Sequence, residues 1–336
     1  MKYWHVALPI ALLLGMAASA FGLWQQYQQG LQTPLANTRT VTFEVRKGDN
    51  LKTVAARLRQ KGWLQQPLWL RAWAYQQKAA HKIKAGEYQI PPGTTIKELL
   101  AMMVAGKVKQ YKITLVEGWT VKQALSAIQA HSAIQHTLYG VPVEKLLEKL
   151  DLPVGHPEGR FFPDTYFFVK NTSDREILRR AYAKMAEVLA KEWQARQPDL
   201  PLKKPYEALI LASIVEKETG KVAEQPQIAG VFIRRLQMGM RLQSDPTVIY
   251  GMGNEYQGDI RYRDLRRDTP YNTYVHAGLP PTPIALPGRS ALHAVLHPQP
   301  GKALYFVANG EGGHVFSATL KEHNRAVARY LKQTRR

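Results

Sequence analysis

The sequence predicts an α+β protein in three parts. These are an N-terminal transmembrane helix (1–24), a small α+β module behind a linker (40–108, linker 25–39), and a larger mixed α+β domain (109–336). Three observations carry this reading. Val6 to Leu23 contains no charged residue. A strand–turn–helix pattern then recurs three times. Beyond it, helical periodicities alternate with short β-rich runs separated by Gly and Pro.

The apolar run spans about 27 Å as a helix, close to the roughly 30 Å hydrocarbon core. Trp4 and Trp24 flank it as interfacial anchors. Lys2 precedes it, and no Lys or Arg follows until Arg39, which favours a cytoplasmic N-terminus and an exported body. A cleaved signal peptide is the competing reading, because Ala18-Ser19-Ala20 fits a cleavage site. Gln25 to Thr38 is polar, carries Gly30 and Pro34, and reads as a linker.

The repeat follows. Its copies are Val41–Lys52, Tyr88–Lys97 and Tyr111–Lys122, each a β-rich run, a glycine (Gly48, Gly93, Gly118), a polar cap, an aliphatic residue and a lysine. Asn50 is a good N-cap, and Thr95…Glu98 and Thr120…Gln123 fit the capping box. Val121 to Leu150 reads as helical, and a Gly/Pro-rich loop follows at Asp151–Pro157. Glu158 to Phe168 is dense in aromatics. Asp174–Gln197, Tyr206–Thr219 and Ile228–Gln237 read as helices, with Gly220 as the C′ stop of the second. Gln243–Gly251 is a loop leading into a short element, and Gly278–Ile284 is a proline-rich rigid loop. Ser290–Leu296 reads as helix, Ala303–Ala308 and His314–Ser317 as paired strands around a turn, and Thr319–Lys332 as the last helix.

Composition narrows the function. The formal net charge of +20 points to an anionic partner or membrane surface. No helix-turn-helix, zinc-finger or RNP signature is present, so no nucleic acid partner is expected. The chain has no cysteine, which excludes disulfides, thiolate metal sites and a cysteine nucleophile. No phosphate loop and no nucleophile elbow occurs. The His293/His297 pair stands alone without a neighbouring acid in sequence, so neither metal nor cofactor is expected.

The informative segment is Ala208–Gly220, an apolar helix ending in Glu216 and Glu218. Negative charge at a helix C-terminus opposes the macrodipole, and apolar surroundings oppose ionisation; both raise a carboxyl pKa towards that of a general acid. The two glutamates point about 200° apart. Glu218 follows Leu211, Ile214 and Val215 on the apolar stripe and is the expected acid, with Glu216 on the more polar side. A second carboxylate would come from Glu158, Asp164 or Asp245, though one acid suffices if a sugar supplies its own nucleophile. Phe161, Phe162, Tyr166, Tyr271 and Tyr274 offer faces to sugar rings. Gln243, Ser244, Asn272, Thr273 and Asn309 offer polar partners.

These residues fall in six ordered motifs. They are Glu158-Gly-x-Phe-Phe-Pro-Asp-Thr-Tyr166, Ala212-Ser-Ile-Val-Glu-Lys-Glu218, Gln243-Ser-Asp-Pro-Thr-Val-Ile-Tyr250, Tyr271-Asn-Thr-Tyr274, Gly278-Leu-Pro-Pro-x-Pro-Ile284 and His314-x-Phe-Ser317. With them the chain resembles the YceG-like family of membrane-anchored endolytic murein transglycosylases over essentially its whole length. Gly48-Asp-Asn-Leu51 after a strand resembles the opening of a LysM module, which implies glycan binding; a packing or spacer role is the alternative.

The family resemblance implies that 109–336 is a catalytic domain. It would cleave the bond between N-acetylmuramic acid and N-acetylglucosamine within nascent strands, leave 1,6-anhydro ends, and so terminate elongation. The catalytic glutamate falls on Glu218. Glu158, Phe162, Asp164, Tyr166, Gln243, Ser244, Asp245, Asn272, Thr273, Tyr274, Asn309 and His314 are implied to contact substrate. The implied partners are peptidoglycan strands, the inner membrane and peptidoglycan synthases, with the body periplasmic on a single-pass anchor. Thr282 departs from the expected glycine, which is harmless only at negative φ. A muramidase using water and a non-enzymatic glycan-binding scaffold are the rival readings.

Overall fold

The computed structural model describes residues 4–334, with side chains described over 10–333. The chain divides into two compact units, Met1–Tyr111 with Phe168–Lys170, and Lys112–Phe167 with Asn171–Arg336.

The first unit opens with α1 (Trp4–Gln32). Among the described residues no helix is long and apolar enough to cross a membrane. The expected anchor, Val6–Leu23, begins at residues whose side chains lie outside the described set. The stretch expected to be a linker is helical as far as Gln32, and Leu31 and Leu35 are buried in the core of the unit. Their burial against α3 and α4 overrides the polar composition around them. β1 (Val41–Val45), α2 (Leu51–Gln60), α3 (Pro67–Gln76) and β2 (Gly86–Ile90) follow, then α4 (Ile96–Ala105). β1 and β2 pair antiparallel, Phe43 opposite Tyr88. The expected caps are present. The Asn50 side chain accepts from the Thr53 N–H at 2.9 Å, and Thr95 and Glu98 form a complete capping box.

The second unit begins at Lys112, within the strand β3 (Tyr111–Thr114), and continues through α5 (Val121–Gln129), which Thr120 and Gln123 cap as a second box. The helix expected as far as Leu150 stops here. β4 (Ile134–Gln135) interrupts it, and only α6 (Leu146–Lys149) resumes the helical path. Gly140 at φ +74° and Pro142 break the run. β5 (Thr165–Phe168) pairs with β3, and β6 (Thr172–Ser173) pairs in parallel with β4. Then come α7 (Asp174–Gln194), α8 (Pro205–Glu218), α9 (Gln225–Gln237), α10 (Asp245–Met252) and α11 (Arg289–Leu296). The hairpin β7 (Tyr305–Ala308) and β8 (His314–Ser317), with Phe306 opposite Phe316, precedes α12 (Leu320–Thr334).

The core is built around α8. Every residue from Ala208 to Val215 is buried, as expected of a helix apolar on all sides. α7, α9, α10 and α11 pack against it. Ser213 lies inside this apolar helix because its hydroxyl has two partners. It donates to the Ile210 carbonyl at 2.7 Å and accepts from the Ile284 N–H at 2.9 Å, tying the proline-rich loop to α8. Gly159, at φ +77°, lies where a Cβ would come within 2.5 Å of Pro283, so that loop also requires the glycine of its motif. Thr282 does not have positive φ, and its hydroxyl bonds Tyr271 at 2.9 Å, so the departure from glycine is accommodated.

Gly220 does not act as expected. It is not left-handed; α8 ends because Thr219 turns extended, at φ −148° and ψ 136°. The helix therefore stops with Glu218 as its last residue.

Candidate active site

A cleft of about 500 Å³ opens at the C-terminal end of α8. Its lining includes Glu218 from α8, Arg235 from α9, Gln243 and Asp245 at the start of α10, Tyr274, and His314 from β8. Residues of β7 and α12, among them Tyr305, Phe306 and His323, complete the wall.

Glu218 is half-buried, so its carboxyl faces the cleft while protein surrounds the rest. Desolvation by that protein pushes its pKa up from 4.5 to about 7. The Ser244 hydroxyl donates to its Oε1 and opposes the rise; the Asp245 charge adds to it, and the Arg235 guanidinium opposes it. The C-terminal end of the helix dipole acts in the upward direction as well. A carboxyl raised in this way keeps its proton much closer to neutral pH than a free one does, as a general acid requires.

Glu216 corrects one step of the sequence argument. Its pKa is also raised, mainly by burial, although the charges of Glu117 and Lys217 act on it too. Its Oε2 accepts from the Gly288 N–H at 2.9 Å, ahead of α11, and it does not line the cleft. Burial and dipole alone therefore do not choose between the two glutamates. Access does.

Ser244 and Thr273 frame the acid. Both are buried. The Ser244 N–H donates to Thr273 Oγ1 at 3.0 Å, and Thr273 Oγ1 lies 2.9 Å from Thr247 Oγ1. Gln243 holds φ +52°, a conformation costly for a residue with a side chain, next to Ser244, which bonds the acid. Its N–H donates to the Thr273 carbonyl at 3.1 Å. Asp245 is exposed in the cleft and accepts from the Tyr274 hydroxyl at 2.6 Å. His314 sits 2.8 Å from Glu224 Oε2 through Nδ1.

Other expected contacts lie elsewhere in the second unit. Glu158 is 3% exposed and accepts from the Val121 N–H at 2.9 Å and the Tyr250 hydroxyl at 3.1 Å. Burial pushes its pKa up to about 7. Phe162 belongs to the hydrophobic core. Tyr166 is buried and donates to the Phe162 carbonyl at 2.7 Å; exposed Asp164 accepts from its own neighbour's N–H, at Thr165. None of these four lines the cleft. Asn272 is 1% exposed and donates to the Asp264, Leu265 and Arg267 carbonyls, so it fixes a loop. Asn309 closes the β7–β8 turn by accepting from Glu311 and Gly313. Buried motif residues of this kind hold the backbone that presents the others.

Arg235 was missed in the sequence. Buried at 6% exposure, it donates to the Leu242 carbonyl at 2.6 Å and the Leu304 carbonyl at 2.7 Å, joining the loop before Gln243 to the residue ahead of the hairpin. The available signal was its position. It follows Ile228, Val231 and Phe232 on the apolar stripe of α9, where an arginine needs a reason.

One group of metal-binding types converges among the described residues. Glu192 of α7 brings a carboxylate within 4.8 Å of ligand atoms of His293 and His297, so the histidine pair is not without an acid. The two rings are stacked, 4.2 Å between centroids and 19° between planes, so their in-plane lone pairs do not meet at one point. The group lies apart from the cleft lining.

With this geometry in view, relatives become informative. The model of the YceG-like family matches residues 43–329. The chain belongs to the YceG-like family. It is similar to a protein of Bacillus subtilis (strain 168) named endolytic murein transglycosylase, 29% identical over 311 residues, 87% of this chain and 85% of the relative. A relative of the same name from Streptococcus pneumoniae serotype 2 is 28% identical over 368 aligned positions, 97% of this chain and 66% of its own length. The crystal structure of a YceG-like protein from Listeria monocytogenes matches with a TM-score of 0.56 and 29% identity, over 86% of this chain and 99% of that one.

Proposed function

We propose that this protein is an endolytic murein transglycosylase, with Glu218 as its single general acid and base. The observation that carries the reading is one half-buried carboxyl with a pKa near 7, open to a cleft lined by sugar-compatible side chains. Family membership and the names of the relatives support the substrate class.

Protonated Glu218 gives its proton to the glycosidic oxygen between N-acetylmuramic acid and N-acetylglucosamine as that bond breaks. The resulting carboxylate takes the proton of the muramic 6-hydroxyl as its oxygen closes on C1. The product is a 1,6-anhydro end, and no water is consumed. Ser244 suits both halves. Its hydroxyl occupies Oε1, which leaves Oε2 to carry the proton and supports the anion once it forms. Cleavage inside a growing strand would terminate its elongation.

Several further parts belong to the same proposal. α1 would anchor the chain in the inner membrane with the body periplasmic, supported by the exposed apolar residues from Ile10 to Leu23. The positive charge favours the anionic membrane surface, where peptidoglycan synthases would be neighbours. The β–α–α–β order of the first unit is compatible with the LysM-like, glycan-binding reading.

A second reading rests on Asp245, whose charge acts on Glu218 from inside the same cleft. As a base it would activate water and make the protein a muramidase. Mass spectrometry of purified strands digested with wild type and Glu218→Gln separates the two. Anhydro-ended internal fragments from wild type alone support the transglycosylase, and fragments heavier by one water support the hydrolase. Binding without any product supports a scaffold.

A further inference from the structure

The first unit holds a pocket that the proposed reaction does not use. It has a volume of about 260 Å³ and lies between the end of α1, the turn from α2 to α3, and α3 itself. Trp63 and Trp69 supply its aromatic surface, and Gln26, Gln29, Gln65 and Gln66 supply side-chain amides. None of its residues belongs to the Gly48–Leu51 turn that carries the LysM resemblance.

From this lining we infer that the pocket binds an uncharged sugar ring of the N-acetylhexosamine class. The inference rests on the peptidoglycan reading for its choice of sugar. Three features argue for it. No lining residue is charged, in a protein of net charge +20. A phosphate or carboxylate ligand would find no specific counter-charge there. Among the described residues the four exposed glutamine amides have no hydrogen-bond partner, and each offers two donors and an acceptor to hydroxyl or acetamido groups. Two half-buried indoles complete the amphipathic lining that a sugar needs, apolar against its C–H face and polar at its rim.

The pocket is also built rather than incidental. Gly30 lies flat against Trp69; a Cβ there would come within 1.7 Å of the indole ring. The Ala36 N–H donates to the Trp63 carbonyl at 3.0 Å, and the Leu35 N–H to the Thr94 carbonyl at 2.8 Å, so the chain leaving α1 is tied to the pocket wall. Gln26 and Gln29 follow Trp24 by two and five residues on one continuous helix, a rise of about 3 to 8 Å. With α1 in the membrane, the pocket lies at the level of the head groups, where a membrane-attached glycan presents its first sugars.

The test is side-chain NMR of the full-length Glu218→Gln protein in detergent micelles, titrated with N-acetylglucosamine tetramer and, separately, inorganic phosphate. The expected result is saturable shifts of the Trp63 and Trp69 indole N–H signals and the four glutamine amides with tetramer, and none with phosphate. Gln65→Ala/Gln66→Ala alters only exposed side chains and is expected to weaken this binding about tenfold. Trp69→Ala should abolish it. Unmoved pocket signals, or affinity unchanged in the double variant, would overturn the inference. Cleavage by the wild-type preparation is scored in parallel. Turnover without pocket shifts sinks the pocket alone, while pocket shifts without turnover leave it standing and remove the transglycosylase reading.

Discussion

The Ser244 hydroxyl donates to Glu218 Oε1, and the next residue, Asp245, bears a charge that pushes the same carboxyl the other way. One loop therefore carries two opposing controls on the acid, both delivered at the N-terminus of α10.

These controls predict opposite shifts of the alkaline limb. In the proposed mechanism activity requires protonated Glu218, so kcat/KM should fall above pH about 7, approaching tenfold per unit. Ser244→Ala removes a bond to the anion and should move the limb to higher pH. Asp245→Asn removes a like charge and should move it lower. pH–rate profiles of anhydro-end formation read both, and two shifts of the same sign would refute the assignment.

Arg235 should act through charge and through its carbonyl bonds separately. Its guanidinium lowers the Glu218 pKa, so Arg235→Met should raise the limb and Arg235→Lys should not. Both variants leave Leu242 or Leu304 carbonyls poorly paired, at about 1–3 kcal/mol for each buried group lost. Thermal unfolding beside the pH profile distinguishes these effects.

Glu158 predicts a pH dependence of stability. Burial raises its folded pKa from 4.5 to about 7, so below pH 4.5 both states are protonated and the group is neutral to folding. As pH rises from 4.5 to about 7 the unfolded chain ionises while the folded carboxyl keeps its proton, and the fold loses up to about 3 kcal/mol. Urea midpoints should fall between pH 5 and pH 8, less steeply in Glu158→Gln. Cleavage at pH 6 should survive this change, because Glu158 does not line the cleft.

The proposed anchor predicts a difference between cells and solution. Replacing residues 1–24 with a cleaved export signal should lower strand termination in cells, seen as longer glycan chains. Turnover of soluble strands should stay unchanged. Equal chain lengths in cells would argue against tethering.

Much of this protein was legible in its sequence because the signals are local. Capping residues act within one turn, so Asn50, Thr95 and Thr120 marked their helices correctly. An apolar helix ending in acids conflicts with the helix dipole wherever it packs, so the raised pKa of Glu218 was legible too. Tertiary structure decided what depends on access. Glu216 and Glu218 share burial and a raised pKa, and only the fold opens the cleft beside the second and closes Gly288 over the first. Glu158, Tyr166 and Asn272 belong to the six motifs yet bond backbone groups away from the cleft lining, and Phe162 packs in the core, because a motif records which residues are needed and not which way they face. Arg235 reaches the cleft from a helix that reads as plain core, since its carbonyl partners lie on two loops that only folding brings there.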